Sequence, residues 1–145
     1  MSQDANLYRL LFEHSAQGMV LLRGDRIELV NLSFADMVGC ARDDLLGHAL
    51  EDHLALLHPQ DRDRILAQYR DRLAGKQGPR YHEFRLVRRD GAIRWCAATV
   101  SLIRFQGEPA VLGALLDITE HKQIDEALQE SLAREKYLGD ILRNA

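Results

Sequence analysis

Residues 81–119 read YHEFRLVRRDGAIRWCAATVSLIRFQGEPAVLGALLDIT. Apolar and polar residues alternate here with a period of two, and turn residues interrupt the pattern at Arg89-Asp90-Gly91 and Gln106-Gly107-Glu108. The period predicts three strands, Tyr81 to Arg88, Ile93 to Arg104 and Pro109 to Thr119, and joins this short predict antiparallel pairing. Along the middle strand the alternation puts Cys96, Ala98, Val100 and Leu102 on one face and Trp95, Ala97, Thr99 and Ser101 on the other. Phe84 and Leu86 on the strand before share the first face, as do Val111, Gly113 and Leu115 on the strand after. All of these are apolar or small, so this face is expected to look onto the helices.

Working backwards, residues 18–31 (GMVLLRGDRIELVN) hold two β-forming runs, Met19 to Leu22 and Ile27 to Val30, separated by Gly24-Asp25. That is a hairpin pattern. Asn31 can cap a helix running through Val38, with Gly39 suited to end it, and a second short helix from Arg42 to Leu46 stops at Gly47. His48 to Leu57 fits several short helical turns. At His58-Pro59-Gln60-Asp61 a longer helix begins, with Ile65, Leu66, Tyr69 and Leu73 on one face and its end at Ala74-Gly75. Its Arg62, Arg64, Arg70 and Arg72, interleaved with Asp61, Asp63 and Asp71, predict a solvated, salt-bridged face. Leu7, Leu10, Leu11 and His14 give residues 4–14 an amphipathic helical pattern. The order of elements therefore predicts an α+β domain: one five-stranded antiparallel sheet with small helices on one face, flanked by N-terminal and C-terminal helices.

The chain has 145 residues, 19 basic and 22 acidic, for a net charge of −3. This balance lacks the positive field that draws proteins onto nucleic acid. The longest apolar run, Ala110 to Leu116, is too short to span a membrane, and the N-terminus lacks a signal-peptide pattern. Two cysteines without metal-ligand spacing suit a reducing compartment, so a cytoplasmic location is expected. No nucleophile elbow, lysine-paired serine or phosphate loop is present. Neither is a kinase dimerisation histidine, an ATP-binding domain or a cyclase signature, so this segment is expected to be non-catalytic.

From Glu120 onward the pattern is helical again. Ile124, Leu128, Leu138 and Leu142 fit alternating d and a positions of a heptad, with Ser131 and Glu135 interrupting the seam and Leu132 displaced by one position. A stripe this narrow suits pairing with a second copy of itself; the alternative is a surface helix lying on the sheet.

Several motifs stand in a recognisable order: Gly18-Met19-Val20, Asn31, Val38-Gly39-Cys40, Asp44-Leu45-Leu46-Gly47, His58-Pro59-Gln60-Asp61-Arg62, Arg89-Asp90-Gly91 with Arg94-Trp95, and Leu116-Asp117-Ile118-Thr119-Glu120. Together they resemble a PAS domain (sensory box) of bacterial signal-transduction proteins such as sensor histidine kinases, over roughly residues 7–121. The resemblance implies three regions: an N-terminal helix (1–16), the sensory domain (17–119) and an exit helix (120–145) leading to an output domain or a second PAS domain. It implies a module that detects a small-molecule or redox-type signal and passes it through the exit helix, with a histidine kinase as the expected output. A linker that only dimerises, and a sensor for a diguanylate cyclase, are the alternatives.

The residues then expected to line a ligand cavity are Met37, Leu54, Leu57, Leu73, Phe84, Leu86, Cys96, Ala98, Val100, Gly113 and Leu115. Asp117, Ile118 and Thr119 are expected to relay the signal, with Thr119 capping the exit helix, and Ile124, Leu128, Leu138 and Leu142 to form a homodimer seam. No cofactor is expected. Flavin-binding relatives use Asn, Asn and Gln where this chain aligns Leu86, Cys96 and Leu115, and Cys40 stands outside their reactive-cysteine motif. Haem-binding relatives take a histidine from the helix opened by Pro59, which has none through Ala74; His53 is the nearest substitute. His48, His53 and His58 recur every five residues, which on a continuous helix would not bring them together, and the neighbouring Glu51, Asp52 and Asp61 look like ordinary surface carboxylates, so no metal site is expected. The expected ligand is small and apolar.

Overall fold

A computed structural model of the chain describes residues 3–144, so Met1, Ser2 and Ala145, the outer limits of the expected terminal helices, lie outside the described residues. Five strands, β1 (Gly18–Arg23), β2 (Arg26–Val30), β3 (Tyr81–Val87), β4 (Ile93–Phe105) and β5 (Glu108–Asp117), pair antiparallel in the order β2-β1-β5-β4-β3. The first and last strands meet in the middle of the sheet, while β3 forms one edge. The helices α1 (Gln3–Glu13), α2 (Leu32–Val38), α3 (Pro59–Leu73) and α4 (Thr119–Arg143) complete the chain. This is the α+β architecture that the alternation and turn residues predict.

Local chemistry explains the element ends. In the β4–β5 turn Gln106 and Gly107 both have positive φ, the backbone of a tight two-residue hairpin whose twist matches its strands. Asn31 Oδ1 accepts from the Phe34 amide and so caps α2, and Gly39 ends that helix at φ 71°. Asn31 does more than cap. Its Oδ1 also accepts from Met19 N at 2.8 Å, while Nδ2 donates to the carbonyls of Phe12 and Gln17, both at 2.9 Å. One fully buried side chain thus fastens the end of α1, the start of β1 and the start of α2.

Two stretches differ from the sequence expectation in detail. Arg42–Asp44 and Leu50–Leu56 are 3₁₀ turns rather than α-helix, and the second is broken at His53 (φ −124°, ψ 19°). The core lies between the sheet and these helices: Val20, Ile27, Val30, Val38, Leu45, Phe84, Leu86, Cys96, Ala98 and Leu115 form one buried cluster. Leu102 shares their strand face but is exposed, because β4 runs on past the helices that cover it.

The terminal helices add nothing to this core. α1 and α4 bury no residue, and Leu7, Leu10 and Leu11 on the first and Ile124, Leu128, Leu138 and Leu142 on the second are all more than half exposed. α1 is held at its C-terminal end through Glu13, whose carboxylate meets Arg42 at 2.6 Å.

Candidate sensory cavity and exit junction

The inner face of the sheet, α3 and the shorter helical segments before it line a cavity of about 150 Å³. Seven of the expected lining residues are on its wall: Leu57, Phe84, Leu86, Ala98, Val100, Gly113 and Leu115. Four are elsewhere. Cys96 is fully buried in the core beneath it, where its thiol contacts the Phe84 carbonyl and burial pushes its pKa well above the usual range. Met37 packs against the core from α2, with its sulfur over Gly18. Leu54 lines a separate surface depression beside Leu50 and Tyr69, and Leu73, next to the lining residue Arg72, is not itself on the wall. Val20, Ile27, Phe34, Ile65 and Tyr69 are among the further residues of the apolar wall. The position of β1 at the centre of the sheet brings in Val20 and its hairpin partner Ile27, which sequence alternation alone did not place there.

Gly113 sits where the central strands converge, paired with Val20 on one side and Val100 on the other. A Cβ there would stand 3.3 Å from Val20 Cγ1, so glycine keeps the floor of the cavity open. At the rim, Tyr69 donates its hydroxyl proton to the Gly24 carbonyl, and burial raises its pKa to about 12. Polar side chains gather toward the C-terminal half of α3, where Gln68 and Arg72 stand with His82 of β3. Burial lowers the His82 pKa more than its hydrogen bond to the Pro79 carbonyl raises it, so the ring is neutral near pH 7.

On the charged face of α3, Asp63, Arg64, Arg70 and Asp71 are exposed as expected, whereas Asp61 departs from that surface. Asp61 is 6% exposed and grips the β3 edge: Oδ2 accepts from the Arg85 amide at 2.8 Å and from Arg85 Nε at 2.9 Å, and Oδ1 from Arg85 Nη2 at 2.8 Å. These bonds, above all the guanidinium's, hold its pKa down to about 2 against the cost of burial. Arg64 donates to the Glu83 carbonyl, Arg62 to Leu57 O, and Arg72 to the carbonyls of Gly78 and Pro79. The physical reason is β3 itself. As an edge strand it presents unpaired backbone groups, and Asp61 and Arg64 of α3 lie close enough to bond the Arg85 amide and the Glu83 carbonyl.

The histidines also depart from expectation. His48 Nδ1 and His53 Nε2 approach to 3.3 Å with their rings stacked, because Ala49 is extended and the following turn is 3₁₀, so helical spacing does not apply. His58 instead caps α3, its Nδ1 accepting from Gln60 N. Among the described residues, no three His, Cys, Asp or Glu side chains converge as a metal site.

On the outer face of the sheet, Arg85 and Trp95 are cross-strand partners, with the guanidinium 5.1 Å from the centre of the indole. Lys122 of α4 lies 4.8 Å from the same ring and reaches Glu83 at 2.6 Å. Asp117-Ile118-Thr119 joins the sheet to α4 beside this cluster. Thr119 Oγ1 accepts from Trp95 N at 2.9 Å and donates to Asp117 Oδ1 at 2.6 Å, and Ile118 N donates to Trp95 O. Thr119 is therefore no N-cap: its hydroxyl is engaged by β4 and Asp117, and the helix already begins at Thr119, whose own amide donates to Asp117 Oδ1 at 3.0 Å. Contacts thus run from Asp61 of α3 through Arg85 and Trp95 to the first turn of α4. In the sequence Asp61 stands out only as one of a run of alternating charges and as a surface carboxylate, and nothing singles out Lys122.

The chain matches the family model described as PAS fold over residues 27–113. Among curated proteins it is 25% identical over 136 residues to the sensor protein TdiS of Thauera aromatica, covering 92% of this chain and 24% of that protein. It is 27% identical over 138 residues to the probable diguanylate cyclase DgcE of Escherichia coli (strain K12), covering 92% of this chain and 12% of that one. The chain thus spans about a quarter and about an eighth of these two relatives. Among solved structures, the PAS domain of an HTR-like protein from Haloarcula marismortui superimposes with a TM-score of 0.65 at 23% identity, over 80% of this chain and 93% of that one. The five-stranded sheet, the closing Asp117-Ile118-Thr119 motif and the matched residues agree: the chain belongs to the PAS-fold family.

Proposed function

We propose that the chain is a sensory and dimerisation module that holds a small apolar molecule between α3 and the sheet and passes its presence to α4. The observation that carries this reading is the cavity. Its walls are almost wholly apolar, and about 150 Å³ is the size at which such a cavity holds a molecule like benzene. That volume is below the roughly 300–1,000 Å³ of pockets for drug-sized ligands, which argues for a small ligand over a flavin or haem. Both cysteines are buried, which favours ligand over thiol redox as the signal.

Asp117, Ile118 and Thr119 are the relay in this proposal, with Asp61, Arg85, Trp95 and Lys122 as the route from the cavity. Ile124, Leu128, Leu138 and Leu142 form the dimer seam between two copies of α4. The output is a domain beyond α4, of the histidine kinase or diguanylate cyclase class, and the probable diguanylate cyclase among the relatives supports the second. Native mass spectrometry of freshly purified protein tests the whole: a dimer with a retained small molecule is expected. A dimer that neither carries nor takes up any small molecule would favour a purely structural linker.

A further inference from the structure

The chemical class of the ligand can be read from one residue that the apolar wall does not explain. Gln68 lies on the sheet-facing side of α3, one turn after Ile65 and one before Arg72, and it lines the cavity. Its Oε1 is wholly buried and accepts no hydrogen bond within the protein. Buried amide oxygens are almost always paired, so an orphan on the wall of a cavity marks a place for a donor. The other polar groups at this end are engaged or uncharged. Arg72 Nη2 is shared between the carbonyls of Gly78 and Pro79, and Tyr69 donates to Gly24. His82 is buried beside the Pro79 carbonyl. A carboxylate entering here would lose its hydration to a largely apolar wall, and the one arginine on that wall, Arg72, already gives its Nη2 to two backbone carbonyls.

We propose that the cavity takes a small, uncharged molecule with an apolar body and one hydrogen-bond donor, the body lying among Leu57, Ile65, Phe84, Leu86 and Leu115 and the donor on the Gln68 amide. This rests on the cavity being a ligand site, as proposed above, and adds which chemistry it selects. Gln68 is then the specificity-determining residue, and the apolar wall supplies affinity without discrimination.

Phenol and toluene test it, because they have nearly the same shape and differ in one donor; benzoate adds a charge. Dissociation constants are measured for all three by ligand-observed NMR on the wild-type chain and on Gln68→Leu. On going to the variant, phenol is expected to weaken relative to toluene by about tenfold, or about 1.4 kcal/mol, the size of one hydrogen bond. Toluene bound by the variant shows at once that the variant is folded. An unchanged phenol-to-toluene ratio would overturn the assignment of Gln68 while leaving the ligand site standing. So would benzoate as the tightest of the three. Binding of none of them, by a wild-type chain with a cooperative unfolding transition, would overturn both the assignment and the ligand site.

Discussion

At the scale of single residues, the groups that matter most are polar and buried. Asn31 uses both atoms of its amide four times, so Asn31→Ala orphans backbone groups of three elements at once. Urea unfolding should show a loss of about 3 kcal/mol. A loss below about 1 kcal/mol would mean that water replaces these bonds. Asp61 carries a pH signature as well. Its folded pKa of about 2 lies below the ordinary 3.8, so on acidification the unfolded chain takes up the proton first and stability falls. About 2 kcal/mol should be present above about pH 4 and disappear as the pH falls toward 2. In Asp61→Asn this part of the acid limb should be missing and the stability near pH 7 correspondingly lower. An acid limb with the wild-type slope would show that the Arg85 pair is not what sets it.

At the scale of elements, the period of two in residues 81–119 and the Gly24-Asp25 turn made all five strands legible, since a half-buried strand writes its burial into every second residue. The order of the strands was not legible, because nothing local in β1 says that it will lie between β2 and β5. For the same reason Val20 and Ile27 were absent from the expected cavity, whereas Phe84, Leu86 and Ala98, on strands adjacent in sequence, were present. α3 shows a second limit. Alternating charge is the pattern of a solvated helix, and only its position over an edge strand turns Asp61 inward onto the Arg85 amide. The cavity itself makes a prediction at this scale. Ala98→Leu places three more carbons in a space of about 150 Å³, so stability should change by less than about 1 kcal/mol while toluene binding disappears. Retained binding at wild-type affinity would place the ligand elsewhere.

For the whole molecule, the arrangement is a sheet-and-helix core flanked by two amphipathic helices whose apolar stripes nothing among the described residues covers. α4 has 25 residues, about 37 Å of helix, and leaves the sheet after its first turn. A second copy aligned along Ile124, Leu128, Leu138 and Leu142 would cover this stripe, and Leu128→Glu combined with Leu138→Glu should sediment as a monomer. A dimer that survives both changes would move the interface to α1 or the sheet. The central claim is that occupancy of the cavity reaches α4, and the chain carries its own probe, since its one tryptophan is Trp95, between Arg85 and Lys122. Toluene is titrated into the protein while Trp95 emission is followed, with binding measured in parallel by NMR. A saturable change in emission with the same midpoint as binding is predicted, and it should be lost in Ala98→Leu. Saturable binding of toluene with unchanged Trp95 emission would contradict the account.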